Sequence, residues 1–419
     1  MNTPEHAAAI LRAFQIEPKP MDRIAAEYFL RHKSLGSRAR REISEAVFGV
    51  TRWQMRLDAW LSMAGVVKPS ILDRVICYLF WQGASTELPH HLAFLKKVDF
   101  SAPFERSFPG GLQSYLSMPQ IFYSRIVAMY PSRSFDACEM MNRPIPPSLR
   151  ANLLKGKRED AISRLRTDGI DALPTGHSPF GIRIPQRVNL RESSAYREGL
   201  VEVQDEGSQL ATLVAAGAGG RNILDLCAGA GGKSLMLAML AGGSARIVAS
   251  DPDSGKLSEL KKRARRAGAA IDVIGSKELS KRGDLRGKFD LILVDAPCTG
   301  SGTIRRNPDV RWRVTDSTIA RSVSLQRDIL KSAVAWLAPG GRFVYLTCSI
   351  FPEENEEQAL WILKNLPLSP GPISEIGGTF RGYLEEFITP EGFLRIDPSR
   401  GDWDGFFVAS FYLSGENFV

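Results

Sequence analysis

Apolar positions follow one rhythm early in the chain and another later. In SRARREISEAVFGVTRWQMRLDAWL, Ile43, Val47, Val50, Gln54 and Leu57 recur at three- and four-residue steps, and Ser37 is placed to cap the start, so this stretch predicts a helix within a basic helical bundle. Ser101 to Gly111 reads as a loop. A short helical region follows and must stop before Pro144, Pro146 and Pro147, whose rings forbid a continuing helix. Beyond them SLRANLL predicts a strand, REDAISRLRTDG a helix stopped by Gly169, and GIRIP a strand.

From Val201 the pattern becomes strand and helix in alternation. NILDLC, RIVASD, FDLILVDAP and GRFVYLTCS are strand-length apolar runs, separated by helix-length stretches such as Ser254 to Ala267 and Ser317 to Leu337. Such alternation predicts an α/β domain, a mostly parallel sheet with helices on both faces and ligands at the carboxyl ends of its strands. The expected domains are 1–140, helical; 141–200, small α/β; and 201–419, strand and helix in alternation. The Pro/Gly-rich stretch Leu366 to Phe380 reads as a surface loop.

Composition narrows the class. With 24% charged and 44% hydrophobic residues the chain is globular, and its 419 residues are too many for one ordinary domain. No run approaches the roughly 18 apolar residues of a spanning helix, and MNTPEHAAAILRAF lacks the marks of a signal peptide; a soluble, cytoplasmic protein is expected. Cys77, Cys138, Cys227, Cys298 and Cys348 are scattered without a CxxC pair, which argues against a disulfide framework and a metal site. The net charge of +8 is unevenly spread. Between Arg31 and Arg56 seven basic residues, Arg38 and Arg41 among them, face two acids, and Arg305, Arg306, Arg311 and Arg313 form another cluster. These suit a phosphate backbone, and they equally suit solvated helix faces.

The loop ILDLCAGAGGKS carries the first chemistry. A phosphate-binding GxxxxGK[ST] loop needs glycine where Cys227 stands, and a GxGxxG dinucleotide loop needs glycine where Ser234 stands, so neither pattern is met. What remains is Asp225 at a strand end, then Gly229, Gly231 and Gly232 turning into a helix N-terminus that favours an anionic group. Asp251, ending the next strand, is placed to accept from ribose hydroxyls. Together these suit S-adenosylmethionine, and a nicotinamide cofactor would use the same geometry.

Two cysteines arbitrate. LVDAPCTGSGTIRRNPDVRW puts Asp295 and Cys298 just past one strand, and VYLTCSIFPEENE puts Cys348 just past another. Paired thiols at the ligand-binding edge suggest covalent chemistry, although an average cysteine is a small buried hydrophobe. The pieces LDLCAGAGGK, SD at Asp251, DAPCTGSGTIRRNPDVRW, TCSIFPEENE and DGFFVA occur in order, and with them the sequence resembles the RNA cytosine-5 methyltransferase family. RREISEAVFGVTRW resembles that family's NusB-like RNA-binding domain and RPIPPSLRANLL its small RRM-like α/β appendage, so the resemblance is nearly full length.

The resemblance implies a Rossmann-like class I S-adenosylmethionine-dependent methyltransferase domain. It implies Cys348 as the nucleophile that adds to carbon 6 of cytosine, since carbon 5 is too poor a nucleophile unaided, and Cys298 as the group that assists elimination. A free thiol titrates near 8.5, so the nucleophile's site should favour the thiolate. Asp295 would face the pyrimidine edge, and Lys233 would sit beside cofactor or substrate, its other reading being a solvent-facing residue of the first helical turn. Cys227, Ala228, Gly229, Ala230, Gly231, Gly232, Lys233, Asp251, Ser276 and Asp295 would line the cofactor site. Arg305, Arg306 and Arg311, with Arg38 and Arg41, would hold RNA phosphates, and Trp312 would stack on a base or serve in packing.

Two letters depart from the family. Ala230 stands where proline is usual, and Gly275-Ser276-Lys277 stands where an acid usually contacts adenine, with Asp272 and Glu278 the nearest acids. The expected partner is RNA, ribosomal rather than transfer RNA by analogy with the NusB-like start, and a monomer suffices. Two other readings stay open: an RNA-binding or ribosome-assembly factor that lost catalysis, and a nucleoside triphosphate hydrolase, weakened by Cys227.

Overall fold

A computed structural model describes residues 2–84, 87–186, 188–376 and 380–414. The chain divides into two compact units, residues 1–144 with 303–316, and residues 145–302 with 317–419.

The first unit is helical, built on Thr3–Ile16, Met21–Arg31, Ser37–Met63 and Ile71–Trp81. Ile43, Val47, Val50 and Leu57 point into its core beside Ile10 and Val75, as the four-and-three spacing requires. Ser37 does not cap; it is the first helical residue and Gly36 precedes it without a side-chain hydrogen bond. The helix bends at Trp53 (φ −108°, ψ 17°). There the Met55 amide is taken by Ser117 Oγ at 3.1 Å and the Thr51 carbonyl by Trp312 Nε1 at 2.7 Å, so both groups freed at the bend are satisfied. Residues 101–110 form turns without regular structure, the short helix Gly111–Tyr115 begins at the loop's last expected residue, and Gln120–Met129 and Ser134–Asn142 complete the helices before the prolines.

The second unit carries two sheets. The smaller has order β2-β3-β1-β4, from β1 (Ser148–Ala151), β2 (Leu173–Pro174), β3 (Gly181–Arg183) and β4 (Val201–Val203), with the helix Arg158–Thr167 between β1 and β2. The predicted first strand ends early, because residues 153–155 turn. The larger sheet contains β5 (Asn222–Asp225), β6 (Arg246–Asp251), β7 (Asp272–Gly275), β8 (Phe289–Asp295), β9 (Leu337–Thr347), β10 (Leu368–Pro370), β11 (Leu394–Ile396) and β12 (Phe406–Leu413). Its path is β10-β12-β9-β8-β5-β6-β7, with β11 also on β12. Strands β5 to β9 pair in parallel, and β12 closes against β9 antiparallel, making the sheet mixed. The stretch 366–380 is not simply a loop: β10 pairs with β12, a short helical turn follows at Ile373–Glu375, and residues 377–379 lie outside the described ones.

Alternate residues of the central strands serve opposite faces. Ile223, Leu291, Leu293 and Val344 pack under the helices Glu206–Gly217 and Gly232–Ala241, while Leu224, Ile292, Val294 and Phe343 meet Asp316–Ala333 and Glu356–Asn365. Strand order reverses between β5 and β8, which opens a crevice at their carboxyl ends. Among the described residues no helix is long and apolar enough to cross a membrane.

Candidate active site

Five strands deliver the site. Asp225 ends β5, Asp251 ends β6, Ser276 follows β7, Asp295 ends β8 and Cys348 follows β9. A cavity of about 1020 Å³ is lined by Cys227 to Ala230, Gly232, Lys233, Asp251, Ser276, Asp295, Cys298 and Cys348, and beyond Ser276 by Arg286, Ile329, Ser332 and Trp336. The sequence-expected cofactor residues thus converge, except that Gly231 does not line the cavity. Gly231 has φ +84°, and a Cβ there would stand 2.5 Å from Leu260, so it shapes the turn from behind.

The loop fits the methionine end and ribose of S-adenosylmethionine. Gly229 and Gly232 leave open space where a Cβ would stand, so a ligand can approach the backbone. Asp251 accepts from the Gly229 and Asp253 amides at 2.9 and 2.8 Å, which fixes its carboxylate at the cavity wall with lone pairs to spare. Beneath the loop Asp225 is fully buried; Ser234 Oγ donates to its Oδ2 at 2.6 Å and its Oδ1 has no partner among the described residues. Burial pushes its carboxyl up to about 7, against the Ser234 hydrogen bond, with the charge of Asp295 adding to the rise. Asp272 pairs with Arg246 at 2.8 Å and Glu278 is exposed, and neither lines the cavity; Ser276, whose Oγ lies 3.5 Å from that of the buried Ser250, and Ser280 line it where an acid is usual.

Two buried braces escaped the sequence reading. Behind the glycine loop, Arg150 of β1 donates to the Gly232 carbonyl at 3.0 Å and Arg263 to the Ala230 carbonyl at 2.8 Å. Glu202 of β4, 1% exposed, accepts from Arg263 at 3.0 Å and Arg266 at 2.6 Å, supplying the anion this arginine cluster needs. Beside the cysteines, Glu354 accepts from the Thr299 amide at 2.9 Å, Thr299 Oγ1 at 2.5 Å and Gln326 Nε2 at 3.2 Å, while Gln326 also donates to the Pro297 carbonyl at 3.0 Å. Glu354 stands inside the quoted TCSIFPEENE, but its letter alone does not announce this role.

At the open end, Cys298 Sγ and Cys348 Sγ are 3.3 Å apart and both half-buried. The hydrogen bond to Cys348, then burial, raise the Cys298 thiol well above its ordinary range, so Cys298 stays protonated. Lys233 Nζ lies 2.6 Å from Asp295 Oδ2. Burial works against its ammonium, but the charge and hydrogen bond of Asp295, with Cys348 nearby, outweigh it and raise the amine. Lys233 is therefore a buried cation inside the site, which corrects the solvent-facing reading. Gly302 joins the cysteine loops: its amide donates to the Cys348 carbonyl at 2.9 Å and its carbonyl accepts from Gly405 at 2.8 Å. A Cβ at Gly302 would stand 2.3 Å from the Gly405 oxygen, so only glycine fits.

The expected phosphate contacts divide. Arg305 and Arg311 are buried and bind their own unit's backbone: Arg305 the Arg143 carbonyl at 2.9 Å, Arg311 the Ser117 and Met141 carbonyls at 3.1 and 2.9 Å and Asn142 Oδ1 at 2.6 Å. They are structural cramps, not phosphate ligands, and Trp312 is committed to Thr51. Arg306 is half-buried, whereas Arg38 and Arg41 are exposed beside Glu42 and Glu45.

A mixed sheet with a nucleoside-sized cavity at its switch point and paired thiols at the cavity's edge defines a methyl-transfer enzyme of the S-adenosylmethionine-dependent class. The 16S rRNA methyltransferase RsmB/F profile matches residues 212–412, and the ferredoxin-like domain profile of the same family matches residues 118–191. Ribosomal RNA small subunit methyltransferase B of Salmonella paratyphi B is 30% identical over 404 residues, covering 88% of this chain and 89% of its own. Its Citrobacter koseri counterpart is 30% identical over 360 residues, 78% and 82%. The crystal structure of PH0851 superposes with a TM-score of 0.77 at 27% identity, covering 97% of this chain and 98% of that one. The chain belongs to the RsmB/F family and is an S-adenosylmethionine-dependent RNA cytosine-5 methyltransferase.

Proposed function

We propose that this chain methylates carbon 5 of a cytosine in ribosomal RNA through a covalent adduct at carbon 6, with Cys348 as nucleophile. The observation that carries the reading is the 3.3 Å approach of the two sulfurs beside the Lys233–Asp295 ion pair, at the edge of a cofactor-sized cavity. The glycine loop, Asp251 and Ser276 hold S-adenosylmethionine, which supplies an electrophilic methyl group when bound. Cys348 adds to carbon 6 as thiolate and moves electron density to carbon 5. Asp295, fixed by Lys233, faces the pyrimidine edge and stabilises the ring as charge develops. Carbon 5 must then lose its proton before the Cys348–carbon 6 bond breaks, and Cys298 assists that elimination.

The base must leave its stack to reach these groups, so single-stranded or extruded cytosine is the substrate form. Arg38 and Arg41 on the helical unit contribute sequence-independent phosphate affinity. Ribosomal RNA is favoured by the names of the curated relatives; transfer RNA is the alternative. A factor without catalysis would have no need of two adjoining thiols beside a lysine–aspartate pair at the cavity wall.

RNA substituted with 5-fluorocytidine tests the covalent step, because fluorine cannot leave carbon 5 as the proton does. With S-adenosylmethionine present, wild type and Cys298→Ala should give a denaturation-stable protein–RNA complex and Cys348→Ala none. A complex that survives Cys348→Ala overturns the assignment.

A further inference from the structure

We propose that Cys298 and Cys348 form an oxidative modification site: a hydroperoxide closes them to a cystine, which switches methyl transfer off until a thiol reduces it. Their sulfurs, 3.3 Å apart, need to approach only to about 2.05 Å. The loops that carry them are already tied. Gly302 N donates to the Cys348 carbonyl at 2.9 Å, Ser301 and Ser349 share a hydroxyl hydrogen bond at 2.9 Å, and the Ile350 amide donates to Ser301 Oγ at 2.9 Å. Most of the ordering needed to bring the thiols together is therefore accomplished by the fold itself. Both line the open cavity, so a small oxidant reaches them. Cys77 and Cys138 are buried in the helical unit with thiols pushed up to about 12 by burial, and they stay inert.

The chemistry balances in two steps. The Cys348 thiolate attacks one peroxide oxygen, the O–O bond breaks, and the departing hydroxide takes a proton to become water, leaving a sulfenic acid. The sulfur of Cys298 then displaces hydroxide from that sulfenic sulfur; the Cys298 proton leaves with it as a second water, and the S–S bond forms. The two sulfurs lose two electrons and the peroxide gains them. A sulfur bound to Cys298 is no longer a thiolate and cannot add to carbon 6, so the linked enzyme cannot start the reaction. Reduction follows when an external thiolate attacks through the open side of the cavity. The linkage itself does not require Cys348 to be the nucleophile; only the accompanying loss of activity rests on that reading.

The test exposes the purified full-length protein to a small excess of hydrogen peroxide and maps its peptides without reduction. The expected result is the loss of two hydrogen masses, a Cys298–Cys348 linked peptide, complete loss of methyl transfer, and recovery of both thiols and activity with a dithiol. Unlinked Cys348 carried to sulfinic acid, or a Cys227 linkage in its place, would overturn the proposal. Cys298→Ser supplies the second arm: without a resolving thiol, peroxide should carry Cys348 to sulfinic acid that a dithiol does not reverse. Full reversibility in that variant also overturns it.

Discussion

Asp225 is a carboxyl group whose charge the fold resists, and that resistance has a measurable sign. Its folded pKa of about 7 lies above the ordinary 3.8, so between those values the native protein holds a proton that the unfolded chain releases. Its contribution is fully present below about pH 4 and is lost as pH rises through about 7, at a limit of roughly 4 kcal/mol. Thermal melts of cofactor-free wild type and Asp225→Asn should accordingly diverge as pH rises from about 4 to 7, wild type losing ground; parallel curves would mean that the carboxyl ionises freely. The thiols give a second residue-scale prediction. On unmodified RNA, Cys298→Ala should accumulate protein–RNA adduct, because addition survives and elimination slows, whereas Cys348→Ala should lower turnover at least about a thousandfold without adduct. Denaturing gels separate the two outcomes. At this scale the sequence was informative where a letter has few uses, as with the two cysteines and the glycine turn. It was uninformative for arginine: Arg305 and Arg311 look like phosphate ligands in one dimension, yet each holds backbone carbonyls.

The elements that position the loop come from the small sheet as well as the large one. Glu202 on β4 neutralises Arg263 and Arg266, and Arg263 with Arg150 anchors the carbonyls of Ala230 and Gly232. Glu202→Gln leaves buried guanidinium groups without their anion, and the loop should loosen, weakening S-adenosylmethionine binding by roughly tenfold, about 1.4 kcal/mol. Calorimetric titration checks this. The matching control is Glu198→Gln, whose pair with Arg164 lies on the surface and should change affinity little. The alternation of short apolar runs made β5, β6, β8 and β9 legible, since each strand is buried on both faces and bounded by polar turns. The edge pairing of β10 was not legible, because its three residues have no period of their own and are recruited by β12. Nor was the arginine brace, which joins positions 33 to 82 residues apart.

At the scale of the whole molecule, the chain order and the spatial units disagree. Residues 303–316 follow the Cys298 loop in sequence but belong with the N-terminal helices, where Arg311 donates to Ser117, Met141 and Asn142. Arg311→Ala strands those acceptors and should destabilise the helical unit by roughly 3 kcal/mol or more, visible as an early transition in a melt. A periodicity reading cannot see such an insertion, because the segment is too short to show a repeat. The chemistry on RNA is tested most directly by transfer of labelled methyl from S-adenosylmethionine to separated, unmodified ribosomal and transfer RNA, with wild type beside Cys348→Ala. Label at cytosine carbon 5 of ribosomal RNA, absent with Cys348→Ala, is the predicted result. Label confined to transfer RNA would contradict the substrate, and label undiminished by Cys348→Ala would contradict the mechanism.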